Sequence, residues 1–146
     1  MDPVAALILI AAVMLTAMAI GLVLRRREGR ARAARGPAAV DPAGLDLAGA
    51  AFGERATLLQ FSTEYCARCP AARRVLGRIA GEHEGVAHVD VDLTHRPDLT
   101  RRFGVLQTPT TLVVDAHGAV RARIGGAPRV HDVERELERI LEDSRV

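Results

Sequence analysis

The stretch that decides the fold is FSTEYCARCP, residues 61–70, which holds the only two cysteines of the chain, Cys66 and Cys69. This spacing fits half of a metal site, a structural disulfide, or a pair that cycles between dithiol and disulfide. A closed zinc site needs four ligands, but a second CxxC is missing and the five histidines are scattered. A static disulfide that closes so short a loop gains little loop entropy. Redox cycling therefore fits best, and no metal is predicted.

The residues on either side of the cysteines predict a buried strand followed by a helix. TLLQFS (57–62) is apolar and bounded by polar residues, and helical spacing of apolar residues begins at Cys69. Backbone N–H groups at a helix N-terminus stabilise an anion, so Cys66 is predicted to form the outer thiolate and Cys69 to resolve the mixed disulfide. Arg68 adds positive charge that favours the thiolate. The alternative for Arg68 is a solvated side chain with negligible effect.

The remaining pattern alternates strand and helix. VAHVDVD (86–92) predicts a second strand, and Pro97 opens a short helix to Phe103. TTLVVD (110–115) and AVRARI (119–124) predict a hairpin, and an amphipathic helix follows. This order implies an α/β domain whose mixed central sheet is flanked by helices.

The N-terminal segment has the composition of a membrane helix. Residues 4–24 carry no charge and are long enough to cross the hydrocarbon core, and Arg25, Arg26 and Arg27 follow them. A cleaved signal peptide would place its basic residues before the apolar run, so we predict a retained single-pass anchor in the lipid bilayer. The arginines favour a cytoplasmic domain, and the alternative is an extracytoplasmic one.

We predict three segments: the anchor (1–26), a linker rich in Arg, Ala and Pro (27–44) and one domain (45–146). The linker has few large apolar residues and cannot build a core, although its first part, up to Ala34, could prolong the membrane helix. The excess of basic residues belongs to residues 25–40, which carry six arginines against Glu28, so we expect no nucleic-acid partner.

Two motifs together resemble the thioredoxin family: FSTEYCARCP before a helix, and FGVLQTPTTLVVD (103–115) downstream. The resemblance covers about residues 50–143 and implies a thioredoxin-like fold. It implies that Pro109 is a cis-proline that presents the backbone of Thr108 to a substrate peptide, which pairs like an added strand. Sequence alone would favour a trans proline. By the same resemblance, bound substrate approaches closely at Gly125.

The chain departs from the family pattern at several positions. Gln60 stands where thioredoxins usually carry a buried Asp, so it cannot move protons to and from the inner cysteine. Tyr65 replaces the usual Trp before the first cysteine, and His88 falls near a frequent lysine position. Glu64 is expected to offset part of the charge of Arg68.

These observations predict a membrane-anchored thiol–disulfide oxidoreductase that acts on protein disulfides. No glycine-rich nucleotide loop is present, so we predict no cofactor and expect a protein electron donor. The alternative is a tethered module that binds peptides or a membrane partner in the groove beside Pro109, with little redox activity.

Overall fold

The computed structural model describes residues 2–33, 39–41, 45 and 52–143. Along the chain, the helices and strands are α1 (Pro3–Arg27), β1 (Ala31–Ala33), β2 (Ala56–Ser62), α2 (Cys69–Glu82), β3 (Val86–Asp92), α3 (Pro97–Arg102), β4 (Thr110–Asp115), β5 (Val120–Gly125) and α4 (Val130–Asp143). The elements predicted between residues 57 and 141 all occur, with boundaries within a few residues of the prediction.

The sheet is mixed, as predicted, with the strand order β1-β5-β4-β2-β3. Strand β2 runs parallel to β3 and antiparallel to β4, and β4, β5 and β1 are joined by antiparallel pairing. All seven residues of β2 are buried, because β2 lies inside the sheet and both of its faces are covered. A continuous apolar run such as that of β2 is typical of a strand buried on both faces.

The two faces of β2 pack into separate apolar clusters. Leu59 and Phe61 face the cluster that contains Phe103 after α3, and the rings of Phe61 and Phe103 lie 5.1 Å apart. Leu58, on the other face, packs in the cluster formed by residues of α2 and α4. Alternate side chains of a strand point to opposite faces, so β2 is packed against apolar side chains on both faces up to the point where it ends, just before the cysteines.

Helix α1 is long and apolar enough to cross a membrane. Its stretch Pro3–Arg26 contains an 18-residue window with a mean hydropathy of 2.8, and none of the residues in that window is buried against the domain. The helix does not continue to Ala34 but ends at Arg27, and Gly29 then adopts a positive φ of 73°. A residue with positive φ cannot continue a right-handed helix, so the chain leaves the helix axis there.

The structure differs from the predicted linker at both of its described parts. Residues 31–33 form the edge strand β1, and Val40 is buried in the apolar core, with its N–H bonded to the carbonyl of Gly118 at 2.7 Å. Small side chains and arginines gave no strand signal in this segment, because β1 is held by backbone hydrogen bonds to β5. Residues 34–38 and 42–44 of the predicted linker lie outside the described residues.

Candidate active site

The two cysteines lie where β2 leaves the core and α2 begins. Cys66 and Cys69 are joined by a disulfide with an S–S distance of 2.12 Å, so the structure describes the oxidised pair. A turn brings them together, in which the N–H of Cys69 donates to the carbonyl of Cys66 at 3.2 Å. Cys66 is partly exposed, whereas only 2% of the Cys69 surface is accessible. An external sulfur can therefore reach Cys66 more easily than Cys69.

Helix α2 places its N-terminus at this disulfide. Arg68 is the N-cap residue, and its side chain makes no capping hydrogen bond. The first backbone N–H groups of a helix have no partner within the helix and carry partial positive charge. The positive end of the helix dipole would stabilise an anion formed at the adjacent sulfur, which is the chemistry predicted for Cys66.

The carboxylate that pairs with Arg68 comes from an unexpected part of the chain. The Arg68 guanidinium lies 3.2 Å from the carboxylate of Glu28, directly after α1. Glu64, which was expected to offset this arginine, instead accepts a hydrogen bond from Tyr65, and that bond raises the pKa of the Tyr65 phenol. Both partners of the Arg68–Glu28 pair are largely exposed, so the pair by itself contributes little to stability.

The Thr108–Pro109 peptide bond is cis, as the family resemblance implies. The Thr108 hydroxyl lies 3.4 Å from that of Thr63, which places this turn beside the loop that leads to Cys66. Within the described part of the chain, neither backbone group of Thr108 makes a backbone hydrogen bond. The Thr108 backbone therefore has the pairing capacity that a strand-like peptide ligand would need.

Two exposed apolar side chains flank this arrangement. Tyr65 is 86% exposed, and Leu106, two residues before Thr108, is 97% exposed. Tyr65 was predicted from the sequence and Leu106 was not, although Leu106 is an apolar residue within the quoted FGVLQTPT motif. Exposed apolar groups beside unpaired backbone suit the side chains of a bound peptide.

Gly125 allows a close approach, but the neighbour in the structure is part of the chain itself. A Cβ atom at Gly125 would lie 2.6 Å from the side-chain nitrogen of Gln107. The carbonyl of Gly125 accepts a hydrogen bond from the N–H of Gly29 at 2.9 Å. The structure thus brings Gly125 next to the site and shows that its carbonyl is already paired.

Gln60 lies fully buried beneath the start of α2. Its side-chain N–H donates to the carbonyl of Cys69 at 3.3 Å, and its side-chain oxygen lies 3.2 Å from Nε2 of His88. Since the carbonyl of Cys69 requires the amide nitrogen, the amide oxygen must face His88, and His88 must carry its proton on Nε2. Burial lowers the pKa of His88, an effect opposed by Asp90 and reinforced by Arg73.

Asp90, which interacts electrostatically with His88, connects this buried pair of Gln60 and His88 to groups nearer the surface. Asp90 accepts a hydrogen bond from Ser62 at 2.7 Å and forms an ion pair with Arg73 of α2. Gln60 and His88 stand in the sequence as separate departures from the family pattern, and nothing in the sequence indicates that they are in contact. Position 60 therefore holds a neutral amide that is fixed by two hydrogen bonds.

A metal site is not apparent: no group of three or more His, Cys, Asp or Glu side chains that could hold an ion occurs among the described residues. What the site presents is a pair of adjacent sulfurs, a helix N-terminus and an unpaired backbone segment. With the fold, these features define the class of thiol–disulfide oxidoreductase domains.

Comparison with known proteins identifies the family. The thioredoxin family model matches residues 50–139, and the chain belongs to the thioredoxin family. The thioredoxin of Chlorobaculum thiosulfatiphilum is 25% identical over 79 residues, which cover 52% of this chain and 71% of that protein.

Solved structures agree on the fold. Thioredoxin NaTrxh from Nicotiana alata has a TM-score of 0.51 at 22% identity, over 59% of this chain and 73% of that chain. Thioredoxin-2 of the malaria parasite, described as a component of its protein secretion machinery, has a TM-score of 0.54 at 16% identity, over 74% of this chain and 99% of that chain. At these identities the likeness shows the thioredoxin-like fold alone.

Proposed function

We propose that this chain is a membrane-anchored oxidoreductase that reduces or exchanges disulfides in protein substrates. The observation that carries the proposal is the placement of the Cys66–Cys69 pair at the N-terminus of α2, with Cys66 partly exposed and Cys69 buried. In the reduced protein, the partial positive charge at the N-terminus of this helix stabilises the Cys66 thiolate, which is the attacking form.

The reaction is a two-step thiol–disulfide exchange. The Cys66 thiolate attacks one sulfur of a substrate disulfide, a mixed disulfide forms, and the other substrate sulfur leaves as a thiolate and takes up a proton. Cys69 then loses its proton and attacks the sulfur of Cys66, which releases the second substrate thiol. The substrate gains two electrons and two protons, and the Cys66–Cys69 disulfide seen in the structure is the oxidised product. A dithiol protein must supply two electrons for the next cycle.

Substrate binding uses the turn beside the disulfide. The backbone of Thr108 forms hydrogen bonds with an extended substrate peptide, next to the cysteine of that peptide's disulfide. Pro109 fixes the conformation of this backbone and has no N–H to donate itself. Tyr65 and Leu106 contact apolar side chains of that peptide. The contacts depend mainly on backbone, so the site accepts many sequences.

Anchoring rests on α1. A helix that belonged to a soluble core would be buried, but the large apolar side chains of α1 are about half to two-thirds exposed and need lipid around them. The arginines that follow favour a cytoplasmic domain. Alkaline carbonate extraction of membranes tests anchoring, because a lipid-spanning protein stays in the pellet. A phosphatase fused after Val146 tests the side, and activity that depends on export would contradict the cytoplasmic assignment.

Insulin reduction tests the chemistry. Purified full-length protein in detergent micelles should accelerate the precipitation of reduced insulin chains by dithiothreitol, and Cys66→Ser should remove the acceleration. Cys69→Ala should instead trap substrates on Cys66 as mixed disulfides that reductant releases. If the parent protein leaves the rate of insulin precipitation by dithiothreitol unchanged, the redox proposal is refuted.

A second candidate function is a tethered peptide-binding module, and the buried Gln60 favours it. An amide cannot accept the proton of Cys69, so the resolving step lacks the acid–base group that thioredoxins usually carry at this place. Such a module would bind peptides at Thr108 with no acceleration of insulin reduction.

A further inference from the structure

The segment between the membrane helix and the domain is attached beside the active site. We call residues 28–33 the juxtamembrane segment. Its strand β1 pairs with β5, and the Gly29 N–H donates to the Gly125 carbonyl at 2.9 Å. The Glu28 carboxylate lies 3.2 Å from Arg68, which stands between the two cysteines. On the other side, the Arg129 guanidinium donates to the carbonyl of Arg26 at 3.2 Å.

Gly29 makes this attachment tight. It is buried and has a φ of 73°, and a Cβ atom at this position would lie 2.3 Å from the carbonyl oxygen of Ala127. Only glycine adopts this φ readily and leaves room for the carbonyl. The chain therefore turns from the end of α1 directly onto the domain, with no free spacer between them.

This attachment sets the height of the disulfide above the bilayer. The arginines at 25–27 mark the level of the lipid headgroups, because their charges are costly to bury in hydrocarbon. The backbone spans at most about 3.6 Å per residue, so Cys66 lies within about 7 Å of Arg68. Arg68 in turn lies 3.2 Å from the carboxylate of Glu28, the first residue after α1, so Cys66 and the end of α1 lie on the same side of the domain.

The disulfide therefore lies on the side of the domain that carries the end of α1, which is the side next to the membrane. Exposed arginines on this part of the molecule strengthen the orientation through attraction to anionic headgroups. They are Arg25, Arg26, Arg30, Arg32 and Arg129.

We infer that the active site faces the membrane surface and that its substrates are disulfides held close to the headgroups, such as cystines in the juxtamembrane segments of other membrane proteins. This inference rests on the proposed anchoring and thiol exchange and names their substrate class. A cystine confined to the same thin layer as Cys66 meets it at a high effective concentration. A soluble protein must instead enter the space between the domain and the lipid.

Fluorescence quenching tests the geometry without using enzyme activity. Cys66 of a Cys69→Ala variant is labelled with bimane, and the full chain is reconstituted in vesicles whose lipids carry nitroxide quenchers on their headgroups. The comparison variant has sixteen Gly and Ser residues inserted between Arg27 and Glu28, which allow the domain to move about 20–24 Å away. We expect headgroup quenching to fall at least about twofold in the insertion variant. Equal quenching in the two proteins, or none in either, would overturn the inference.

A matched pair of substitutions tests the attachment itself. Gly29→Ala should reduce the quenching, because its methyl group meets a carbonyl oxygen, whereas Gly21→Ala, with no atom within 4 Å of the added carbon, should leave it unchanged. If Gly29→Ala leaves the quenching unchanged, or if both variants lower it equally, the tight turn at residue 29 does not hold the domain in place and the inference is overturned.

Substrate choice supplies the second measurement. Cystine peptides are attached to vesicle lipids through a spacer of about 10 Å or about 60 Å, and their reduction is compared with that of soluble insulin. The parent should reduce the short-spacer peptide at least about fivefold faster than the long one, and the insertion variant should lose this preference while reducing insulin as before. Equal rates on both spacers with active parent protein would refute the inference alone. Absence of insulin reduction in every variant would refute the proposed function, and the quenching would still decide the orientation.

Discussion

Replacing Gln60 by Glu should make the stability of the domain depend on pH. The substitution exchanges the buried amide nitrogen for oxygen at nearly constant volume, and this atom faces the carbonyl of Cys69 at 3.3 Å. Two oxygens at this distance need a proton between them, and burial also disfavours the carboxylate. The folded protein therefore holds the introduced carboxyl in its protonated form at a pH where the unfolded chain has lost that proton.

The sign and size of the effect follow from linkage. The folded-state pKa is raised above the unfolded value of about 4.3, so stability is retained below about pH 4 and falls as pH rises. The free energy of unfolding falls by about 1.4 kcal/mol per pH unit in the range where the carboxyl is ionised only in the unfolded state, which gives a loss of about 3 kcal/mol between pH 5 and pH 7. Transfer of the proton to His88 would limit the loss, but burial makes the cationic form of His88 unfavourable.

The assay is urea unfolding of the oxidised full-length protein in detergent micelles at pH 5, 6, 7 and 8, with each variant compared to its parent. Gln60→Leu is the control, because it removes both hydrogen bonds but introduces no titrating group. It should cost about 1–2 kcal/mol at every pH. A difference between Gln60→Glu and the parent that is the same at pH 5 and pH 7, within about 0.5 kcal/mol, would refute the reasoning.

Four further substitutions test packing and electrostatics in the domain. Gly53→Ala should destabilise the domain by about 1–3 kcal/mol, because its methyl group would lie 2.1 Å from a backbone oxygen. Gly81→Ala in α2 meets no atom within 4 Å and should stabilise the domain by about 0.5–1 kcal/mol. Urea unfolding measures both changes in the free energy of unfolding, and two changes of the same sign would contradict the prediction. Leu76→Ala should cost about 2–5 kcal/mol by the same measurement, since Leu76 is fully buried, and a loss under about 1 kcal/mol would show that the core around α2 is loosely packed. Thr94→Val removes the hydroxyl whose hydrogen bond holds the pKa of Asp92 below its usual range, so that pKa should rise in an NMR titration, and an unchanged pKa would exclude this cause.

Much of the fold was predictable because its signals are local. The continuous apolar run of β2, the alternation in β3 and the helical spacing after Cys69 each reflect the periodicity of one element and which of its faces is buried. The edge strand β1 could not be predicted in this way. Its three residues have no apolar pattern, and they form a strand only because β5 offers an unpaired edge close to the end of α1.

The candidate site shows the same division. The cysteine spacing and its place between strand and helix identified the chemistry, and the family resemblance pointed to Pro109. Which groups surround the sulfurs depended on contacts between distant parts of the chain. Gln60 and His88 are 28 residues apart, and Glu28 and Arg68 are 40 residues apart. Sequence gives the chemical capacity of such groups but not their distances.

By itself, then, the sequence determined that a CxxC pair opens a helix in a mixed α/β domain and that an apolar helix precedes this domain, because composition and periodicity encode both. Only the tertiary structure decided that the domain turns its disulfide toward the end of that apolar helix. That decision depends on backbone pairing of β1 with β5 and on a turn at Gly29 that fits against another segment of the chain. Backbone groups are the same in every residue, so the choice of which segments pair becomes visible only when the chain is folded.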